Sequence, residues 1–199
     1  MRDLHDVVVR KVEGLKDIVK VVCGSDYTMA LDKRGKIYSF GNNGYGQLGI
    51  SGNATKVMEP KMLFIPASAG RVVDIACGEE HSAYLDDQGR VHTWGYGNDG
   101  QLGHGTKTSL NTPKRVDCDS PVSKVVCGGG HTGLLTKNGD LYLMGRGRDG
   151  QLGRGNHVES VAASLPQPTL VDYFSDNKLR VDDFSLGTNH SIAVVSPRL

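Results

Sequence analysis

The 199-residue chain has no surplus of either charge: 23 Lys and Arg stand against 22 Asp and Glu, a formal net charge of +1. Non-specific attraction to nucleic acid or to an anionic membrane draws on a clear excess of cations, so direct binding to either is not expected. No apolar run approaches the roughly 20 residues that span a bilayer, and the opening Met1-Arg2-Asp3-Leu4-His5-Asp6 does not read as a secretory leader. These two features set the expectation of a soluble, intracellular protein. Cysteine is scarce, at four residues, and no two are spaced as Cys-x-x-Cys, so neither a zinc ribbon nor a dithiol redox site is indicated. No window of about eleven residues carries the helical apolar period, which argues against bundles and α/β folds.

Glycine, by contrast, is plentiful at 27 residues, about twice its usual share. Much of it sits in a phrase written three times: Gly46-Gln47-Leu48-Gly49, Gly100-Gln101-Leu102-Gly103 and Gly150-Gln151-Leu152-Gly153. A second phrase keeps the same step as Cys23-Gly24, Cys77-Gly78, Cys127-Gly128 and a looser Leu186-Gly187. Self-similarity at intervals of about fifty residues marks an array of one supersecondary unit. Residues 1–199 therefore read as a single array with units near 16–65, 70–118, 121–173 and 181–199, the last cut short.

The second unit is the clearest. Val72-Val73-Asp74-Ile75-Ala76-Cys77, His81-Ser82-Ala83-Tyr84-Leu85 and Val91-His92-Thr93-Trp94-Gly95 read as three short strands with turn signals between them. Asp86-Asp87-Gln88-Gly89 suits a type I turn closed by a left-handed glycine. A fourth strand is expected near Lys114-Arg115-Val116, after Pro113. The proline column Pro60, Pro113, Pro168 marks it as the outermost strand, because proline cannot donate to a central ladder. Just before the second strand stand Tyr27, His81, His131 and His190, each followed by a hydroxyl: Thr28, Ser82, Thr132 and Ser191. The chain is expected to be all-β, built as a propeller of four-stranded blades. A β-sandwich predicts no such column identity.

Cys77-Gly78-x-x-His81-Ser82-x-x-Leu85, then Gly89-x-Val91-x-x-Trp94-Gly95, then Gly100-Gln101-Leu102-Gly103 resembles the repeat of the regulator of chromosome condensation family. The resemblance covers residues 16–195. It implies a sector of a seven-bladed ring, here about three complete blades and a partial one. A full ring of such units takes about 350 residues, so the reading expects closure by missing repeats, a second copy or a capping partner.

Three segments, Gly44 to Gly49, Gly95 to Gly100 and Gly145 to Gly150, match Gly-x-Gly-x-x-Gly, but no helix is expected to follow any of them, so no nucleotide cofactor is inferred. The histidine column has no chelating neighbours in sequence and no metal site is inferred. Its imidazoles are expected to bond backbone within their own blades. Gln47, Gln101 and Gln151 are expected to satisfy loop backbone, and the cysteine column to act as small buried apolar groups. Gly24, Gly78, Gly128 and Gly187 belong with these residues to the architecture.

Function is then sought on rim loops. The residue before the histidine column reads Asp26, Glu80, Gly130, Asn189. In the founding exchange factor of the family, acidic rim residues meet the small GTPase Ran, and Asp26 and Glu80 match that position in kind. A second exposed set follows each strand-end glycine: Tyr45; Asn98 with Asp99; and Arg146, Arg148 and Asp149. The resemblance implies a protein-interaction module or scaffold without covalent catalysis, cytoplasmic or nuclear, with ciliary or cytoskeletal assemblies among the settings. The alternative is a guanine-nucleotide exchange factor for a Ran-type GTPase. The wedge insertion and basic tail of that exchange factor have no counterpart in the sequence, although Arg154 to Asn177 is longer than its equivalents. The single Trp disfavours the plant ultraviolet-receptor branch.

Overall fold

A computed structural model describes residues 9–155 and 163–198, so part of the long Arg154–Asn177 stretch lies outside the described residues. Strands β1 (Ile18–Cys23), β2 (Tyr27–Asp32), β3 (Ile37–Asn42) and β4 (Lys56–Met62) form one four-stranded antiparallel sheet in chain order. β5 (Val72–Cys77), β6 (His81–Asp86), β7 (Val91–Gly95) and β8 (Leu110–Arg115) form the second. β9 (Val122–Cys127), β10 (His131–Thr136), β11 (Leu141–Arg146) and β12 (Ser164–Leu170) form the third, and β13 (Leu179–Leu186) pairs with β14 (Ser191–Pro197) as part of a fourth. Each sheet is a propeller blade. The first strands β1, β5, β9 and β13 contact one another in sequence, as strands lining a common axis do. The single α-helix among the described residues is the short α1 (Asp172–Asp176).

Local chemistry explains the hairpins. Asp32 and Asp86 end the second strands, and each carboxylate accepts the N–H groups two and four residues on. Gly35, Gly89 and Gly139 supply the left-handed residue, with φ of 85°, 79° and 83°. The fourth strand begins earlier than expected. β8 starts at Leu110 and contains Pro113, with an irregular register between Thr93 and Gly95. The proline is tolerated because the strand is at the sheet edge.

The apolar cores lie between blades rather than within them. Met29, Ile37, Leu48 and Leu63 of the first blade pack with Val72, Ile75, Tyr84 and Trp94 of the second. Leu85, Val91 and Val116 meet Val125, Leu134 and Met144, and Leu143, Leu152 and Val171 meet Val181 and Phe184. A blade on its own would expose this surface to water, so each depends on its neighbour. Cys127 is buried in this way, whereas Cys23 is exposed, contrary to expectation, because no blade among the described residues covers β1.

A polar clasp crosses each junction. Ser82 Oγ donates to the Gln47 carbonyl at 2.8 Å, Thr132 Oγ1 to the Gln101 carbonyl at 2.8 Å and Ser191 Oγ to the Gln151 carbonyl at 2.6 Å. The imidazoles do not bond backbone in their own blades; they reach across. His81 Nε2 lies 2.8 Å from Thr132 Oγ1 and His131 Nε2 lies 3.1 Å from Ser191 Oγ. Each hydroxyl proton is committed to a carbonyl, so each imidazole donates from Nε2–H, which leaves Nδ1 as a lone pair that meets no donor among the described residues. In the first blade Tyr27 takes this place and donates to the His81 carbonyl. Trp94 Nε1 adds a second donor to the Gln47 carbonyl at 2.9 Å.

Two outcomes are expected. Trp94→Ala should destabilise the fold by about 3–5 kcal/mol in urea titration, from the cavity it leaves at the first junction. A loss below about 1 kcal/mol would contradict that packing role. Burial pushes His81 down to about 3 and His131 to about 4; Arg146 adds to both shifts, and a hydrogen bond with the His190 backbone opposes the second. Unfolded histidine takes its proton near pH 6.5, so below that pH the unfolded chain binds more protons. Stability should therefore be level above pH 6.5 and fall as pH drops towards 4, by up to about 1.4 kcal/mol per pH unit for each histidine. A urea midpoint that holds steady from pH 7 to pH 5 would show that the neutral clasp is not what the fold requires.

Candidate protein-interaction surface

The loops between first and second strands join into a collar. Ser25 N–H donates to the Glu79 carbonyl, Glu79 N–H to the Gly129 carbonyl and Gly129 N–H to the Gly187 carbonyl, at 3.1, 3.3 and 3.1 Å. The glycine column makes this approach possible. A Cβ on Gly78 would lie 2.5 Å from the Gly128 carbonyl oxygen and 2.2 Å from the His81 ring, and Gly24, Gly128 and Gly187 are crowded by the ring of their own blade in the same manner.

The two exposed sets seen in the sequence meet here. The carbonyls of Asp26, Glu80 and Gly130 accept the N–H groups of Asn42, Tyr96 and Arg146, each at 2.8 Å. The second loops are held from below by the repeat glutamines: Oε1 of Gln47, Gln101 and Gln151 accepts the N–H of Tyr45, Asp99 and Asp149 at 3.0, 3.0 and 2.8 Å. The motif glutamine thus positions the rim as well as filling the corner.

Asp26 is exposed, and Glu79 and Glu80 are half-buried beside it. Burial raises the Glu80 carboxyl above its ordinary value, with the charges of Glu79 and Asp26 adding to the shift and Arg146 opposing it. Arg146 crosses from the third blade to the second, where Nε and Nη2 bond the same Asp99 oxygen at 3.0 and 2.9 Å. Its guanidinium lies over Gly130, where a Cβ would sit 2.8 Å away. The rim position without a side chain is therefore the floor of an ion pair, and hydrogen bonding to Asp99 raises Arg146 above its ordinary pKa. Tyr45 and Tyr96 pack edge to face with centroids 4.9 Å apart. Asn98, Arg148, Asp149, Asn189 and His190 are exposed, and the salt bridges among the described residues leave Arg148 and Asp149 outside the Arg146–Asp99 pair. Glu79 and Tyr96 were not singled out in the sequence; their adjacency to Glu80 and to the corner Gly95 was the available signal. Among the described residues no group of three or more His, Cys, Asp or Glu is placed to hold a metal ion, and no helix is long and apolar enough to cross a membrane.

Residues 4–198 match the RCC1-like domain. The chain belongs to that family. Among curated relatives, the human probable E3 ubiquitin-protein ligase HERC4 is 39% identical over 100 residues, which is 50% of this chain and 9% of the human protein. The Xenopus laevis serine/threonine-protein kinase Nek9 is 36% identical over 55% of this chain and 11% of its own length, and the Danio rerio protein RCC2 homolog 33% identical over 50% and 24%. The chain thus spans a small part of the relatives it matches. The crystal structure of human WBSCR16 superposes with a TM-score of 0.76 at 26% identity, covering 90% of this chain and 44% of that one. Saccharomyces cerevisiae Prp20p superposes at 0.82 with 23% identity, over 94% and 45%. These likenesses carry the RCC1-type propeller fold.

If Arg146 supplies the opposing charge, Arg146→Ala should move the Glu80 titration further upward in carboxyl-resolved NMR. A Glu80 carboxyl that stays put or moves down would dissociate the two groups.

Proposed function

We propose that this RCC1-like domain is a protein-interaction module whose rim receives a basic surface of a partner protein. The supporting observation is the continuous collar carrying Asp26, Glu79 and Glu80 beside the Arg146–Asp99 pair. Carboxylates that are partly desolvated before a partner arrives lose less hydration when a cation meets them, and they steer encounter through their field. Tyr45 and Tyr96 add amphipathic area of the kind enriched at interface centres. The residues offered for contact are Asp26, Glu80, Asn98, Asp99, Arg146, Arg148 and Asp149. A cytoplasmic or nuclear setting accords with this reading, and the fold's likeness to exchange-factor propellers supports a second one: exchange activity on a Ran-type small GTPase through the same acidic rim. The solved Prp20p structure is described together with its binding to Gsp1p and histones, both separate from this chain.

A photo-crosslinking residue at Asn98 of the full chain should capture a partner through a lysine- or arginine-rich peptide. Asp26→Lys with Glu80→Lys should cut that capture at least tenfold. Capture through an acidic peptide, or capture indifferent to both changes, would remove the rim assignment. In parallel, release of fluorescent GDP from a Ran-type GTPase should show no acceleration at micromolar protein; acceleration abolished by the same pair of changes would replace the module reading with the exchange-factor one.

A further inference from the structure

A groove of about 770 Å³ lies between the outer parts of the first two blades and shares no residue with the rim surface. Its first wall comes from β4 and the segment after it, where Phe64 is 81% exposed and Met62 55% exposed, next to Ile50 and Pro66. Its second wall comes from the second blade and carries Arg90, Lys114 and Arg115. Among the described residues no carboxylate lines it. Arg90 is committed to the buried Asp86 at 2.7 Å, but Lys114 and Arg115 are exposed and enter none of the ion pairs among the described residues. At its back the Tyr84 ring stacks on His92 with centroids 4.4 Å apart.

The repeat supplies an internal control. Leu63 N–H donates to the Ile37 carbonyl and Val116 N–H to the Val91 carbonyl, both at 2.8 Å, which puts the two outer strands in the same register. In that register Phe64 corresponds to Asp117 and Pro66 to Asp119. The equivalent groove between the second and third blades holds about 350 Å³ and is lined by both of those aspartates together with Lys114 and Arg115, which form its first wall as well as part of the second wall of the larger groove. The second blade thus carries acids at the register positions where the first carries Phe64 and Pro66, although the segment that follows differs, with a 3-10 turn at Ala67–Ala69 only in the first. With Met62 beside it, Phe64 forms an exposed apolar patch at the mouth of the groove.

We propose that the groove binds a short peptide segment of a partner protein, carrying a bulky apolar side chain flanked by carboxylates. The apolar side chain seats against Phe64 and Met62, and the carboxylates meet Lys114 and Arg115. A second copy of this chain is a poorer occupant. In a two-fold contact the same patch supplies both sides, and among the described residues this patch holds no carboxylate to meet Lys114 and Arg115.

The test pans phage-displayed random dodecapeptides against the full chain and measures the selected peptides by fluorescence anisotropy. Enrichment of Phe, Leu or Met among Asp and Glu is expected. Phe64→Ser, and separately Lys114→Glu with Arg115→Glu, should each weaken binding at least tenfold, while Asp26→Lys with Glu80→Lys should leave it unchanged. All the altered groove side chains are exposed, and unchanged thermal melts will show that the fold is intact. The proposal fails if no acidic-apolar sequence is enriched or if binding ignores both groove variants. It fails equally if light scattering shows a dimer that Phe64→Ser dissociates, which would make a second copy the occupant.

Discussion

Every other feature of this protein rests on one contact: the main-chain carbonyl of the repeat glutamine accepting a hydroxyl from the following blade. Gln47, Gln101 and Gln151 are engaged in this way by Ser82, Thr132 and Ser191. In the last two of these the hydroxyl oxygen also accepts from the preceding blade, Thr132 from neutral His81 and Ser191 from neutral His131. Three successive blades are thus tied through one line of bonds. Around it the apolar cores close, since Leu48 and Trp94, or Leu134 and Val116, are buried only when the blades meet. A buried carbonyl without its donor would cost about 1–3 kcal/mol, enough to matter at every junction.

The same glutamine connects scaffold to surface. Its main chain holds the next blade while its side chain holds the exposed loop that begins at Tyr45, Asp99 or Asp149. Rim residues are therefore free to vary in chemistry without losing their position. The third blade shows this freedom: Gly130 gives up its side chain and Arg146 occupies the space, fixing Asp99 of the neighbouring blade. The outer grooves show it again, with Phe64 in one and Asp117 in the next at the same register after the fourth strand.

Much of the blade was legible from the chain alone. Alternating short apolar runs, the Asp-x-x-Gly turns and the proline column follow from steric and hydrogen-bonding rules that act within a few residues, and β5, β6 and β7 lie where those rules put them. The histidine column was visible, but its partner was not. His81 bonds a hydroxyl 51 residues away rather than the backbone beside it, and no local rule chooses between those acceptors. Cys23 and Cys127 share a column yet differ in burial, because burial depends on the adjoining blade and not on the repeat position. Arg146 and Asp99 were each candidates for the rim; that they pair across Gly130 was beyond reach of spacing.

Repetition, strand order and membership of the RCC1-like family were settled by the order of residues, because a unit that recurs with its glycines, turns and edge prolines intact can form only one kind of sheet. Which groups touch was settled by the packing of one unit on the next. Equivalent residues are about fifty positions apart. Their contact needs the angle and separation of two blades, which arise from side chains interlocking between sheets. That packing made the histidines interlinking donors, the glutamines supports for the rim, and Gly130 the seat of a guanidinium.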